Sequence, residues 1–170
     1  DSCQEFPMYL YNIPGRSVVK ISSDIIKKLS EIKNILGVKD ATADLTTPLE
    51  VRKICGKDFQ QLSGEDATFL AFLISGGEGC ISVTANIIPK ISSKIYELWK
   101  SRKISKAMEL NFKIYGLNSV LFSETSPGPI KYALSKIKKC ENILRLPLVN
   151  VTKKTEKNID IVLKELGLIK

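Results

Sequence analysis

Short apolar runs alternate with amphipathic helical segments through residue 103, and this alternation predicts an α/β fold. Three observations carry it. The apolar runs are too short for helices and are bounded by turn-forming residues. Each is followed by a segment with helical periodicity or a helix-starting signal. The joints between them are short, as parallel strands with helical crossovers require. After residue 103 the pattern becomes helical throughout, so two regions are expected, 1–103 and 104–170.

The first strand runs from Pro7 to Asn12 and is ended by the turn Pro14-Gly15. Ser22 or Ser23 can cap a helix through about Lys33, with Ile25, Ile26, Leu29 and Ile32 on one face. Ile35 to Ala41 is the second strand. Thr47-Pro48-Leu49-Glu50 has the form of a capping box with proline at the first helical position, and Gly56 stops that helix. Phe59 to Leu62 is the third strand. A helix over Asp66 to Ser75 follows and ends at Gly76-Gly77. Cys80 to Thr84 is the fourth strand, and Pro89 opens a helix through Trp99. Helices are expected at 104–121, 128–139 and 155–167, separated by joints containing Pro127, Pro129 and Pro147. Trp99, Phe112, Tyr115 and Phe122 read as helix-packing residues rather than a stacking platform.

Four strand–helix units can form a flavodoxin-like sheet or half of a (β/α)8 barrel. A whole barrel needs about 250 residues, and this chain has 170. In either architecture functional groups collect at the carboxyl ends of the strands. Those ends carry Tyr11-Asn12, Lys39-Asp40, Ser63-Gly64-Glu65 and Thr84-Ala85-Asn86.

Composition excludes several functions. The net charge is +8, yet only four of the 26 basic residues are arginine. Nucleic-acid readers lean on arginine forks and stacked aromatics, so the lysines read as solvated helix faces and no nucleic-acid partner is expected. There is no histidine, and the four cysteines form no CxxC pair. Zinc binding and Ser-His-Asp or Cys-His catalysis are therefore not expected, nor is any metal or cofactor. Isolated cysteines fit a reducing compartment, and a cytoplasmic location is expected. No apolar run reaches the roughly 18 residues of a membrane span, so no membrane partner is expected.

Lys39 is the residue that most needs explaining. It stands in the apolar run Ile35-Leu36-Gly37-Val38-Lys39-Asp40-Ala41. A strand buried on both faces should exclude an ammonium group. A desolvated lysine can attack a carbonyl to form a Schiff base. The plain alternative is a strand-end lysine with its charge in water or in a salt bridge. For the residue alone, that alternative carries more weight.

The surrounding motifs shift the balance. Tyr11-Asn12-Ile13-Pro14-Gly15-Arg16-Ser17 resembles the segment after the fifth strand of the dihydrodipicolinate synthase family. Gly37-Val38-Lys39-Asp40-Ala41 resembles that family's Schiff-base lysine motif on the sixth strand, 28 residues beyond Tyr11. Leu62-Ser63-Gly64-Glu65-Asp66 and Gly76 through Asn86 are similar to the seventh and eighth strands. Glu124 to Lys131 and Leu144-Arg145-Leu146-Pro147 resemble joints of the C-terminal helices. Ser126 departs from the usual asparagine, and Cys80 from the usual aliphatic residue; both departures read as lying away from the chemistry.

The resemblance implies the C-terminal half of a (β/α)8 TIM barrel, strands five to eight, followed by a helical subdomain. It implies a lyase of lysine and diaminopimelate biosynthesis that condenses pyruvate with L-aspartate 4-semialdehyde. Lys39 would form the imine and Tyr11 would relay protons. Arg16 would hold a substrate carboxylate, and Gly64 and Ile81 would line the pyruvate site. Taken singly, these four read as a strand-end tyrosine, a surface arginine, a turn glycine and a core strand residue. A homo-oligomer, a tetramer by family resemblance, is implied if the barrel is complete. The competing readings are a sugar-acid aldolase of the same superfamily and a non-catalytic half-barrel. A half-barrel leaves strand edges and an apolar interior exposed, so self-association of the isolated chain is expected.

Overall fold

The fold is described from a computed structural model, over residues 5–170. The contacts of the chain group into two compact units that divide between Ser82 and Val83. Each is taken by itself.

The first unit is a four-stranded parallel sheet in the order β1-β2-β3-β4. The strands are β1 (Met8–Asn12), β2 (Ile35–Asp40), β3 (Gln60–Ser63) and β4 (Gly79–Cys80). Between them lie α1 (Pro14–Ser17), α2 (Ser23–Ser30), α3 (Thr47–Cys55) and α4 (Phe69–Ile74). Sequential strands are neighbours throughout, and β1 and β4 are the two edges.

One face of this sheet packs on helices. Ile26 of α2, Ile35 and Val38 of β2, Val51 of α3 and Phe59 form its buried cluster, with Leu10, Ile21, Leu29 and Cys55 packed around it. Burying each large aliphatic group here contributes about 1.5–3 kcal/mol. The opposite face carries Tyr9, Tyr11, Lys39 and Leu62, and it is more open: Tyr9 and Tyr11 are both exposed. Successive strand residues point to opposite faces, so Tyr11 is exposed where its neighbour Asn12 is fully buried.

Several local expectations are corrected. The chain after β1 forms the short helix α1, with Val18 at φ 64° behind it, not a simple turn. Helix α2 is capped by Ser22, which accepts from the Ile25 amide at 3.4 Å. It ends at Ser30, and Ile25 and Ile32 are exposed while Ile26 is buried. The capping box does not form. Thr46 is the N-cap of α3 without a side-chain cap bond, and the Glu50 carboxylate accepts from the Ser23 hydroxyl at 2.7 Å instead. Helix α4 covers Phe69–Ile74 only. Strand β4 covers Gly79–Cys80, and Thr84–Asn86 is a 3₁₀ turn.

The second unit contains α5 (Pro89–Lys100), α6 (Ile104–Leu121), α7 (Gly128–Lys136) and α8 (Lys153–Glu165). Helix α5 packs along α6, and α8 packs on α6 and α7. Three polar contacts help to pin it. The buried Thr84 hydroxyl donates to Asn118 Oδ1 at 2.8 Å. Tyr132 donates to Asp160 at 3.2 Å, and Lys136 pairs with the same carboxylate at 3.1 Å. The aromatic residues of α6 depart from expectation. Phe112 is 71% exposed and Tyr115 57%, so neither serves as a packing residue. Helix α6 is apolar on two stripes, and Ala107, Ile114, Leu117 and Leu121 form the buried one. Among the described residues, no helix is long and apolar enough to cross a membrane.

Candidate functional site

The carboxyl ends of β1, β2 and β3 bring together residues that are far apart in sequence. Parallel register sets Tyr11 beside Lys39 and Lys39 beside Leu62. The Lys39 ammonium lies 3.9 Å from the centroid of the Tyr11 ring. A cation on an aromatic face gains about 0.5–1 kcal/mol where the pair is partly exposed. Lys39 is half-buried. Among the described residues, no carboxylate forms a salt bridge with it. The ammonium is therefore not sealed in a core, and of the two strand-end alternatives, water or a salt bridge, the described residues supply no salt bridge.

Gly64 follows β3 and donates its amide to the Asp40 carbonyl at 2.7 Å. A Cβ there would stand 3.0 Å from Lys39 Cε and 2.9 Å from Ala41 Cβ. Any larger residue would push the lysine stem, so the glycine clears the space in which Nζ moves. Ile81 continues the β3–β4 ladder, its amide donating to Ser63 O at 2.9 Å, with its side chain half exposed. Arg16 lies on α1, just past the end of β1, and is exposed.

Two neighbours of the lysine, noted in the sequence but given no role there, gain weight in the structure. Asp40 is buried, and its carboxylate accepts from the Thr42 amide at 3.3 Å and the Thr42 hydroxyl at 3.0 Å. Burial pushes its pKa above the usual carboxylate value, against the pull of those bonds and of Lys20. Cys80 is the second. Its thiol is pushed up to about 12, first by burial and then by the negative charge of Asp66. A bond to the Ser63 side chain and the positive charge of Lys39 oppose that rise. Cys80 is therefore within electrostatic reach of the lysine, not remote from it, and it is a neutral thiol at ordinary pH. Asp66 itself is buried and accepts from the Ser82 hydroxyl. Cys55, Cys80 and Cys140 form no disulfide, and Cys3 lies outside the described residues.

A primary amine beside a phenol, on adjacent strand ends, with room at its Cε, is an arrangement suited to carbonyl chemistry. The sequence profile of the Dihydrodipicolinate synthetase family matches residues 2–166. The chain belongs to that family. It is 44% identical over 163 residues to the 4-hydroxy-tetrahydrodipicolinate synthase of Gluconobacter oxydans, covering 96% of this chain and 55% of that protein. Its α/β fold resembles the family's TIM-barrel structures. It matches the chloride-inhibited dihydrodipicolinate synthase of Acinetobacter baumannii, crystallised with pyruvate, at a TM-score of 0.93 and 36% identity, over 97% of this chain and 57% of that one. It matches a monomeric dihydrodipicolinate synthase variant at a TM-score of 0.91 and 34% identity, over 96% of this chain and 56% of the other. The chain thus spans little more than half the length of the family members it matches.

Proposed function

We propose that this chain carries the Schiff-base half of a 4-hydroxy-tetrahydrodipicolinate synthase, a lyase that condenses pyruvate with L-aspartate 4-semialdehyde on the way to diaminopimelate and lysine. In this reading β1 to β4 are strands five to eight of the barrel, residues 1–103 are the half-barrel, and residues 104–170 are the helical subdomain. The open edges of β1 and β4 and the exposed Tyr9–Tyr11 face support this reading, because a closed barrel would cover both. Assembly into a homo-oligomer belongs to the same proposal, as does a cytoplasmic site of action.

The observation that carries the chemistry is the Lys39 ammonium, without a carboxylate partner among the described residues and 3.9 Å from the Tyr11 ring. The neutral amine attacks the C2 carbonyl of pyruvate, and water leaves as the imine forms. The protonated imine draws electrons from the pyruvate methyl, which loses a proton to give an enamine. The enamine carbon attacks the aldehyde carbon of the second substrate, and the new alkoxide takes a proton; the semialdehyde's own amino group then adds to the imine carbon, closing the ring and releasing the Lys39 amine. Tyr11 relays protons in the imine and addition steps, a role worth about 10²–10⁴ in rate. Arg16 offers a planar fork to a substrate carboxylate. Gly64 and Ile81 shape the pyruvate side of the site through their backbone.

Borohydride trapping tests this. The chain, alone and joined to the amino-terminal half of the Gluconobacter oxydans relative, is incubated with pyruvate and borohydride and then mapped by peptide mass spectrometry. The expected result is an adduct of pyruvate less water, reduced by two hydrogens, on Lys39 and absent in Lys39→Ala. A folded joined protein without adduct, or an adduct that survives Lys39→Ala, overturns the proposal. Turnover of the joined protein with aspartate semialdehyde but not with a keto-sugar acid fixes the aldehyde class.

A further inference from the structure

A second row of residues lies behind the first. Asn12, Asp40 and Ser63 are ladder partners on β1, β2 and β3, one step beyond Tyr11, Lys39 and Leu62. By strand alternation they point away from the face that carries Lys39. All three are buried, at 0%, 4% and 1% exposure. Three polar groups in a line on a buried face are costly unless each is hydrogen-bonded.

Each has partners in the loop that follows its own strand, and Ser63 also meets the Cys80 thiol on β4. Asn12 Nδ2 donates to Ile21 O at 3.2 Å, and Asn12 Oδ1 accepts from Ile21 N at 3.0 Å. This two-point clamp closes the segment that contains α1, Arg16 and Val18. Asp40 holds Thr42, and the Thr42 hydroxyl accepts from the Asp44 amide at 3.2 Å. The Ser63 hydroxyl donates to Glu65 O at 2.9 Å and accepts from Glu65 N at 3.1 Å, bracketing Gly64. None of these loop contacts is needed to form the sheet. All of them fix loops that begin beside the site.

We propose that Asn12, Asp40 and Ser63 are positioning residues that set the site from behind the sheet, with Asn12 holding the segment that presents Arg16. The row exploits the pleat. One residue of each strand end faces the reacting groups, and the next anchors the loop. The link to Arg16 as carboxylate holder rests on the function proposed above; the clamp itself does not.

The clamp is read by amide hydrogen exchange on the 170-residue chain. In Asn12→Ala the Ile21 amide should exchange on the order of tenfold faster or more, since its acceptor is gone, while the Val38 amide in the core keeps its protection. In Asn12→Asp the acceptor remains and Ile21 protection is largely retained. Ser63→Ala should release the Glu65 amide in the same way, and it reads the proposal if Asn12→Ala does not fold. In the joined protein, Asn12→Ala should raise KM for the aldehyde about tenfold and leave borohydride trapping at Lys39 within about twofold. Unchanged exchange at Ile21 and Glu65 overturns the clamp. Equal loss of Val38 protection, or an equal fall in trapping and in aldehyde KM performance, reduces the row to a packing role and also overturns it. Absence of trapping in the unsubstituted protein overturns the reaction instead, and exchange at Ile21 still decides the clamp.

Discussion

Two cations stand at opposite ends of one sheet and are held in opposite ways. Arg52, on α3, lies at the amino ends of β3 and β4. Its guanidinium donates to the carbonyls of Gly56 and Lys57 at 2.9 Å, of Phe59 at 3.3 Å and of Gly76 at 2.8 Å. It also pairs with Glu78 at 3.1 Å, and the other oxygen of Glu78 accepts from the Gln61 amide. Every donor it commits closes a loop. Lys39 stands at the carboxyl end with the Tyr11 ring beside it and, among the described residues, no acid paired with it. A cation saturated with acceptors stabilises the fold; a cation without an acid partner is available for the reaction proposed for Lys39. The contrast matches the division of labour between the two ends of a barrel of parallel strands.

The largest expected effect breaks that symmetry. Arg52→Ala should cost about 2–3 kcal/mol of stability, from several lost charge-assisted bonds at a group that is mostly buried. Lys39→Ala should cost no more than about 1 kcal/mol, the worth of one cation–aromatic contact. Urea denaturation of the two variants checks this. The difference is expected in the midpoint, with imine trapping lost only in Lys39→Ala. A Lys39→Ala loss equal to that of Arg52→Ala would make the lysine structural.

The same contrast explains what the sequence made legible. Strands β1 and β2 and the long helices could be read from short apolar runs, helical period and proline starts, because those signals are local. Lys39 and Tyr11 could be singled out from their place in motifs. The Arg52 cluster could not, because four of its acceptors are backbone carbonyls, which carry no sequence signal. The Asn12–Asp40–Ser63 row could not, because it exists only once register is known. The capping box failed for a related reason. Glu50 had a local partner available in its own helix, and a tertiary one, Ser23, won. The strand expected over Cys80–Thr84 is shorter in the structure: β4 ends at Cys80, and the chain enters a 3₁₀ turn at Thr84. Two stripes on α6 gave a helix whose buried side periodicity alone could not choose.

Asp40 sharpens the comparison through pH. Its unfolded carboxyl titrates near 3.8, and burial raises the folded value above that. The folded state therefore holds the proton more tightly. The stability this contributes is complete below the unfolded pKa, is lost as pH rises through the folded pKa, and stays lost at neutral pH. Asp40→Asn has no such loss. Its stability relative to the native chain should rise across that acid window and then level off, by less than the Arg52 effect. Urea midpoints measured from acid to neutral pH check it. A relative stability that falls with pH instead would mean that the Thr42 bonds outweigh burial.

Backbone strain gives the smallest effect and the finest form of the contrast. Left-handed backbone is costly for a side chain with a Cβ, most of all a β-branched one. In the first unit, the described loops at the amino ends of β3 and β4 place glycine there, Gly56 at φ 81° and Gly76 at φ 103°. The loops that follow β1 and β2 place Val18 at φ 64° and Ala43 at φ 59°. The stabilising end has relieved its strain, and the end that carries Lys39 retains it. Such residues persist only where surrounding contacts over-determine them. Around Val18 those contacts are its amide bond to Pro14 O at 3.0 Å, the Ser17 hydroxyl on Val19 O at 2.9 Å, and the Asn12 clamp on Ile21. Val18 is 90% exposed, so its side chain has little burial to lose. Val18→Gly should relieve about 1–2 kcal/mol of strain against about 0.5–1 kcal/mol of added chain entropy. The net is a gain of up to about 1.5 kcal/mol, seen as a small rise in the thermal midpoint. Because the clamp then holds a softer segment, the Ile21 amide should exchange faster even as the chain as a whole becomes more stable. A drop in the midpoint of Val18→Gly would mean that the valine conformation is not strained, and the difference between the two ends of the sheet would then rest on Arg52 and Lys39 alone.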